Sequence, residues 1–389
     1  MKQIASTLLL TAAVSLGPQP AAAESFNAFL KTLKAEALAA GRKASTVKAA
    51  TRGLKPNLKI IPLTTRQPEF LSYVGTYLSK RVTKSRIKAG RRKVRGLKKT
   101  FTAIEKRFGV DPYIVAAIWG LETNYGGYIG KSDIFRATAT LAWKRYRGDF
   151  FKEQFLDALY LMESEGLPRR QFVGSWASGM GQTQFIPSSY RNFAVDMDGD
   201  GKRNLWRSTA DALGSTANYL VKHGWVRGQP WGHSVRLPDV MSRTVLTKPW
   251  TEWAAKGVVR RDGGKLPAEG TATLFFPAGH EGPAFLVTAN YSAIRDYNWS
   301  DSYVLSVARL AAHLRGKPPP KLTWPKRRPL LKPQRVKIQK LLVEKGFRVP
   351  NRIGRITADM RKVIRDYQIS IGVTADGHPD AELLKQLAR

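Results

Sequence analysis

Residues 114–130 read IVAAIWGLETNYGGYIG. Asp111-Pro112 just before them suits an N-cap followed by proline at the first helical position, so the stretch predicts one helix over 112–121. Ile114, Val115, Ile118, Trp119 and Leu121 supply hydrocarbon up to a single carboxylate, Glu122, and a Gly-rich turn follows. Burial disfavours the charged form of a carboxyl group, so Glu122 is placed to keep its proton near neutral pH and to act as a general acid. The plainer alternative is a helix-end glutamate that solvates or caps.

Working outward, Phe26, Phe29, Leu30, Leu33 and Leu38 recur at near-helical spacing and predict helix from Ser25 to about Leu54. Further helices are expected over 69–78, through the basic stretch after it, and over 101–108, 150–165, 209–223 and 300–314. Two β-prone runs, 271–276 and 284–288, suggest a small hairpin or sheet. The segment GKPPPKLTWPKRRP, residues 316–329, is too rich in proline for regular hydrogen bonding and reads as a stiff linker. The expected organisation is a signal segment over 1–23, a main domain over 24–316, the linker over 317–328 and a compact helical module over 329–389.

The N-terminus has the parts of a secretory signal: Lys2, an apolar stretch from Ile4 to Leu16, and Ala21-Ala22-Ala23 as a cleavage site. There is no cysteine in the chain, which excludes disulfides, a Cys nucleophile, thiolate metal sites and a lipidated N-terminal cysteine. A periplasmic protein without a lipid anchor is expected. The net charge of +36 would by itself suggest a nucleic-acid binder, and Lys84, Arg86, Lys88, Arg91, Arg92, Lys93, Arg95, Lys98 and Lys99 crowd a stretch with no acidic residue. An exported chain rarely meets nucleic acid, so acidic wall polymers or an anionic membrane surface are the expected partners of this patch. A monomer with no nucleic-acid partner is expected.

Four more segments carry polar chemistry. GSWASGMGQTQFIPSSY (174–190) interleaves small residues with Trp176, Gln182 and Gln184, so that backbone and amide groups can approach a polar ligand, although a tightly packed loop would look the same. AVDMDGDGKRNLW (194–206) puts Asp196, Asp198 and Asp200 at alternate positions with Gly201 at the turn and the Lys202 carbonyl next, which is the start of an EF-hand-type calcium loop. Its twelfth position is Arg207 rather than a bidentate glutamate, and an Asx-rich turn without metal is the competing reading. Ala217-Asn218-Tyr219 interrupts an apolar helix, and Asp296-Tyr297-Asn298 precedes the helix near Ser300. The five histidines have no metal-ligand spacing, and His223 at a helix end reads as structural.

Taken in order, GLETNYG, GSWASGMGQTQFIPSSY, DMDGDGKRNLW, ANYLVKHGW and YNWSDSYVLSVARLA resemble the membrane-bound lytic murein transglycosylase B family across about residues 25–316. The resemblance implies a mainly α (α+β) fold, with a lysozyme-like helical catalytic domain and a small β segment. It also implies cleavage of the MurNAc–GlcNAc bond of peptidoglycan with formation of a 1,6-anhydro end, a reaction that serves cell wall turnover. Glu122 matches the catalytic acid of that family, and Ser175, Gln184, Tyr219, Tyr297 and Asn298 match its substrate contacts. Asp211 matches the residue that completes the cation site with Asp196, Asp198, Asp200 and Lys202. No cofactor is implied for the chemistry, and Ca²⁺ would be structural.

Residues 331–388 resemble the peptidoglycan-binding domain 1 family, with three helical faces formed by Val336, Ile338, Leu341 and Leu342, by Met360, Val363, Ile364 and Tyr367, and by Ala381, Leu383, Leu384 and Leu387. Basic residues around Asn351–Arg355 replace the acidic turn usual between its first two helices. Two alternatives remain at this level: a wall-binding scaffold without catalysis, and a hydrolytic muramidase, which would need a second carboxylate near the scissile bond.

Overall fold

The computed structural model describes residues 24–65, 72–239, 241–350 and 353–389, so the expected signal segment lies outside the described residues. The first expected helix divides at Gly41 into α1 (Phe26–Ala39) and α2 (Ala44–Thr51). Next come α3 (Val74–Arg81), the basic α4 (Lys84–Gly96), α5 (Lys98–Phe108) and α6 (Pro112–Thr123). Asp111 Oδ1 accepts the Tyr113 N–H at 2.9 Å and Pro112 opens α6, as the sequence predicts.

Every residue of α6 from Ile114 to Leu121 is buried. A helix apolar on all sides can satisfy itself only at the centre of a bundle. α6 takes that position, with α3, α4, α5 and α10 around it and α13 along its length.

The chain continues through β1 (Ser132–Asp133), α7 (Ile134–Trp143), α8 (Phe150–Ser164), β2 (Val173–Gly174), α9 (Pro187–Phe193) and α10 (Thr209–Lys222). β1 and β2 pair antiparallel, and a second core of Leu33, Phe135, Phe155, Phe172 and Tyr190 binds α1, α2, α7, α8 and α9 together.

A small sheet follows, larger than the hairpin the sequence suggests. β3 (Gly232–Arg236), β4 (Thr247–Pro249), the short α11 (Trp250–Ala255), β5 (Val259–Arg260), β6 (Thr271–Phe275) and β7 (Ala284–Val287) form it, in the antiparallel order β4-β6-β7-β3-β5. β6 and β7 are the two β-prone runs of the sequence. β4 and β5 are too short to show a period, and β3 is recruited by pairing with β7, about fifty residues on. Trp250, Trp253, Phe276 and Leu286 fill the core behind the sheet.

α12 (Ala289–Tyr297) and α13 (Asp301–Arg315) return to the central bundle. Residues 316–329 form neither helix nor strand, yet they are packed down: the Trp324 ring stacks on Phe285 at 6.2 Å. The last segment folds as α14 (Lys332–Glu344), α15 (Ala358–Ser370) and α16 (Ala381–Leu387) around Leu330, Ile338, Leu342, Met360, Ile364, Tyr367, Leu383 and Leu387. No helix among the described residues is long and apolar enough to cross a membrane.

Candidate active site

Glu122 stands in the last turn of α6, half-buried, where the bundle meets the Gly-rich turn. Its Oε1 accepts a 2.6 Å hydrogen bond from the Tyr303 hydroxyl, which reaches it from the first turn of α13. Tyr303 is buried, and burial together with the Glu122 carboxylate pushes its phenol well above the ordinary value. The phenol therefore stays protonated and acts as donor. Tyr297, at the end of α12, is raised in the same way by burial and by Glu122. Its hydroxyl donates to the Thr183 carbonyl at 2.7 Å.

The chain leaves α6 through two consecutive left-handed residues, Asn124 (φ 52°) and Tyr125 (φ 62°). Conformations this sparsely populated persist only where surrounding contacts over-determine them. Here the contacts come from the 174–184 loop. Thr123 Oγ1 donates to the Gln182 carbonyl and accepts the Gly126 N–H at 2.9 Å, while Gln184 Nε2 donates to the Ile129 carbonyl at 3.0 Å. Gly130 passes so close to the loop that a Cβ on it would lie 2.1 Å from the Gly174 carbonyl oxygen. Ser175 Oγ accepts the Gly179 N–H at 2.9 Å, and a Cβ on Gly179 would lie 2.8 Å from Gln184 Oε1 and 2.9 Å from Ser175 Oγ. Ser175 and Gln184 thus converge on one bare stretch of backbone.

Tyr219 closes the other side. Its ring lies 4.9 Å from that of Tyr297 and stacks at 3.9 Å on His223, and its hydroxyl donates to the Asp296 carbonyl at 2.7 Å. Burial raises its phenol too. Both tyrosine hydroxyls are spent on main-chain carbonyls, so these residues offer ring surface and rigidity more than free polar groups. Asn298 ends α12, and its carbonyl accepts the Ser300 N–H.

Sequence reasoning missed Tyr303. It falls one helical turn before Val307 on the apolar face of α13, and a tyrosine on a buried face needs a partner for its hydroxyl. Thr123, which locks the turn after Glu122, has no such signal, and Gln182, named above for its amide, receives Thr123 through its main-chain carbonyl.

Carboxylate oxygens of Asp196, Asp198 and Asp211 lie within 4.8 Å of one another. Asp211, at the start of α10, is buried and accepts main-chain N–H groups from Met197 and Asn204, each at 2.8 Å. Burial raises its pKa more than these bonds lower it, which marks a buried carboxylate short of positive charge. An all-oxygen set of this kind suits a hard cation such as Ca²⁺. Asp200 lies outside this cluster: on the exposed crest of the turn, its Oδ1 takes the Lys202 N–H at 2.8 Å.

Comparison with known proteins follows the same outline. A family model described as Transglycosylase SLT domain matches residues 25–312. Membrane-bound lytic murein transglycosylase B of Escherichia coli is 43% identical over 122 residues, a match that spans 31% of this chain and about a third (34%) of that protein. SltB3 from Pseudomonas aeruginosa, solved in complex with NAG-anhNAM-pentapeptide, is 39% identical with a TM-score of 0.82, over 94% of this chain and 100% of that one. The Escherichia coli lytic transglycosylase Slt35, solved in complex with calcium, is 25% identical with a TM-score of 0.63, over 74% and 92% of the two chains.

Proposed function

The chain belongs to the transglycosylase SLT domain family, and on that premise we propose that it is a lytic transglycosylase of peptidoglycan. It cleaves the β-1,4 bond between N-acetylmuramic acid and N-acetylglucosamine and leaves a 1,6-anhydro end, in the course of wall turnover. The observation that carries this reading is the carboxyl group of Glu122 held by a neutral phenol donor. The reaction requires this carboxyl to enter with its proton, and because Oε1 accepts from Tyr303, Oε2 is the oxygen proposed to carry it. Glu122 gives that proton to the leaving glycosidic oxygen as the bond to the anomeric carbon breaks, then takes the proton of the muramic C6 hydroxyl as its oxygen closes on that carbon. The nucleophile belongs to the substrate, so the advantage of an intramolecular reaction replaces the second carboxylate of an ordinary glycosidase.

Ser175, Gln184 and Asn298 are proposed to meet N-acetyl and hydroxyl groups, with Tyr219 and Tyr297 as ring walls. The convergence of Ser175 Oγ and Gln184 Oε1 on Gly179 supports a shared polar surface for a sugar there. Asp196, Asp198 and Asp211 are proposed to hold a structural Ca²⁺, with Asp200 and the Lys202 carbonyl as outer members of the set. Slt35 was solved with calcium. The ion would cross-link the 196–211 loop to α10 and takes no part in proton transfer.

Residues 329–389 are proposed as a wall-binding module joined by the 317–328 linker, in a monomer acting in the periplasm. The exposed cations of α4 and the start of α5 have no ion pair among the described residues, which supports a role in attraction to anionic wall or membrane surfaces.

Mass spectrometry of digested peptidoglycan tests the reaction. Wild type is expected to give products ending in 1,6-anhydromuramic acid, and Glu122→Gln none. Reducing ends would turn the assignment to a hydrolytic muramidase, and activity surviving in Glu122→Gln would remove this residue from the chemistry.

A further inference from the structure

The elbow between α12 and α13 carries Tyr297, Asn298 and Tyr303, and the C-terminal helical segment grips it at three points. The Arg355 guanidinium lies over the Trp299 ring at 4.8 Å. Arg295 Nη2 donates to the Ile356 carbonyl. Arg361, on α15, extends a buried side chain across Phe275 and places Nη2 2.7 Å from Asp301 Oδ2.

Asp301 is the first residue of α13. Its Oδ1 accepts from the Tyr291 hydroxyl at 2.8 Å and pairs with Arg295 Nε at 3.0 Å, so Arg361 completes a closed set around this carboxylate. Ser300 caps the same turn: its Oγ and its carbonyl both accept the Tyr303 N–H, at 3.3 and 3.0 Å. Tyr303 stands two residues beyond Asp301 and reaches from this turn to Glu122. A small rotation of the turn becomes a larger displacement at the far end of a tyrosine ring, and a 1 Å misplacement in an active site costs on the order of a hundredfold in rate.

We propose that Arg361 is a positioning residue for the chemistry at Glu122, acting through Asp301 and the first turn of α13 to aim the Tyr303 hydroxyl. This rests on the lytic transglycosylase reading. The C-terminal segment is then a structural part of the catalytic site as well as a candidate wall-binding module, and the packed linker, with Trp324 on Phe285, is the form such a part requires.

The test is full-length Arg361→Met beside Arg361→Lys and Arg365→Met. Arg365 lies on the same helix and donates to the Val245 carbonyl at 3.2 Å, so it docks α15 away from the elbow. Arg361→Met is expected to lower kcat about tenfold with KM within about twofold, the pattern of a lost transition-state interaction, and Arg361→Lys to regain most of the loss. Arg365→Met should keep the wild-type kcat. In protein labelled with ¹³C-tyrosine, the Tyr303 ring resonances should move in Arg361→Met and stay in place in Arg365→Met. A wild-type kcat and unmoved Tyr303 resonances in a folded Arg361→Met would overturn the proposal, as would equal losses in Arg361→Met and Arg365→Met. Should Arg361→Met fail to fold, Asp301→Asn decides, because it removes the carboxylate charge through which Arg361 acts: a fall in kcat with shifted Tyr303 resonances supports the proposal, and no change in either refutes it. The wild-type products judge the reaction separately. Reducing ends would overturn the lytic reading, while the ratio of variant to wild-type rate would still decide the role of Arg361.

Discussion

The Tyr303 hydroxyl donates to Oε1 of Glu122 at 2.6 Å, joining the first turn of α13 to the last turn of α6. The donor is neutral and buried, and its acceptor is the carboxyl group on which the proposed chemistry turns. As Glu122 gives up its proton this acceptor becomes charged, and a hydrogen bond to a charged group contributes about 1.5–3 kcal/mol, so Tyr303→Phe should lower kcat roughly ten- to a hundredfold. Initial rates of muropeptide release from purified sacculi measure this. A Phe variant within twofold of wild type would leave the bond without catalytic importance.

Gly130 distinguishes steric contact from backbone preference. Its φ of +91° disfavours a side chain, and a Cβ would lie 2.1 Å from the Gly174 oxygen, on the strand that leads into Ser175. Gly148 has a φ of +63° with nothing within 4 Å of its Cβ position. Alanine at Gly148 should cost about 1 kcal/mol, and alanine at Gly130 about 2 kcal/mol or more, because there it must also move backbone. Denaturant midpoints give both numbers, and equal costs would mean that the 130–174 contact relaxes freely.

Calcium should stabilise without accelerating. If the carboxylates of Asp196, Asp198 and Asp211 take the ion, saturating Ca²⁺ should raise the melting temperature of the wild type by several degrees, as expected for a ligand that binds only the folded state. EDTA should reverse the gain, and Asp211→Ala should show none. Turnover measured below the melting transition should stay within about twofold with or without the ion. A calcium-independent melting curve would leave the loop as an Asx turn.

Asp301 sets an acid limit on stability. Burial by itself would raise its pKa, but the guanidiniums of Arg295 and Arg361 and the Tyr291 hydroxyl outweigh burial and bring it down to about 2. An unfolded aspartate titrates near ~4, so the folded state binds the proton more weakly. The resulting stabilisation is fully present above about pH 4 and is lost as pH falls toward 2. Asp301→Asn should therefore be less stable than wild type at pH 6, with the gap narrowing over that acid window. A gap that does not change with pH would mean that the carboxylate is not held by these cations.

The sequence determined most of what is local. The Asp111-Pro112 start and the all-round apolar character of residues 114–121 predict a central helix, because a helix with no polar face has nowhere else to go. Glu122 as the candidate acid follows from its place at the end of that helix taken together with the ordered motifs that carry the family resemblance. The three C-terminal helices were legible from their apolar faces, although Ala381, expected on the third, is exposed at the start of α16. The tertiary structure decided what depends on partners distant in the chain. Tyr303 meets Glu122 across 181 residues, Arg361 meets Asp301 across 60, and β3 becomes a strand only by pairing with β7. Periodicity reports which face of an element is buried, but not which other face it is buried against. The candidate catalytic carboxylate could therefore be picked out from the sequence, whereas the phenol that holds it, and the C-terminal arginine proposed to aim that phenol, emerge only when the helices are packed together.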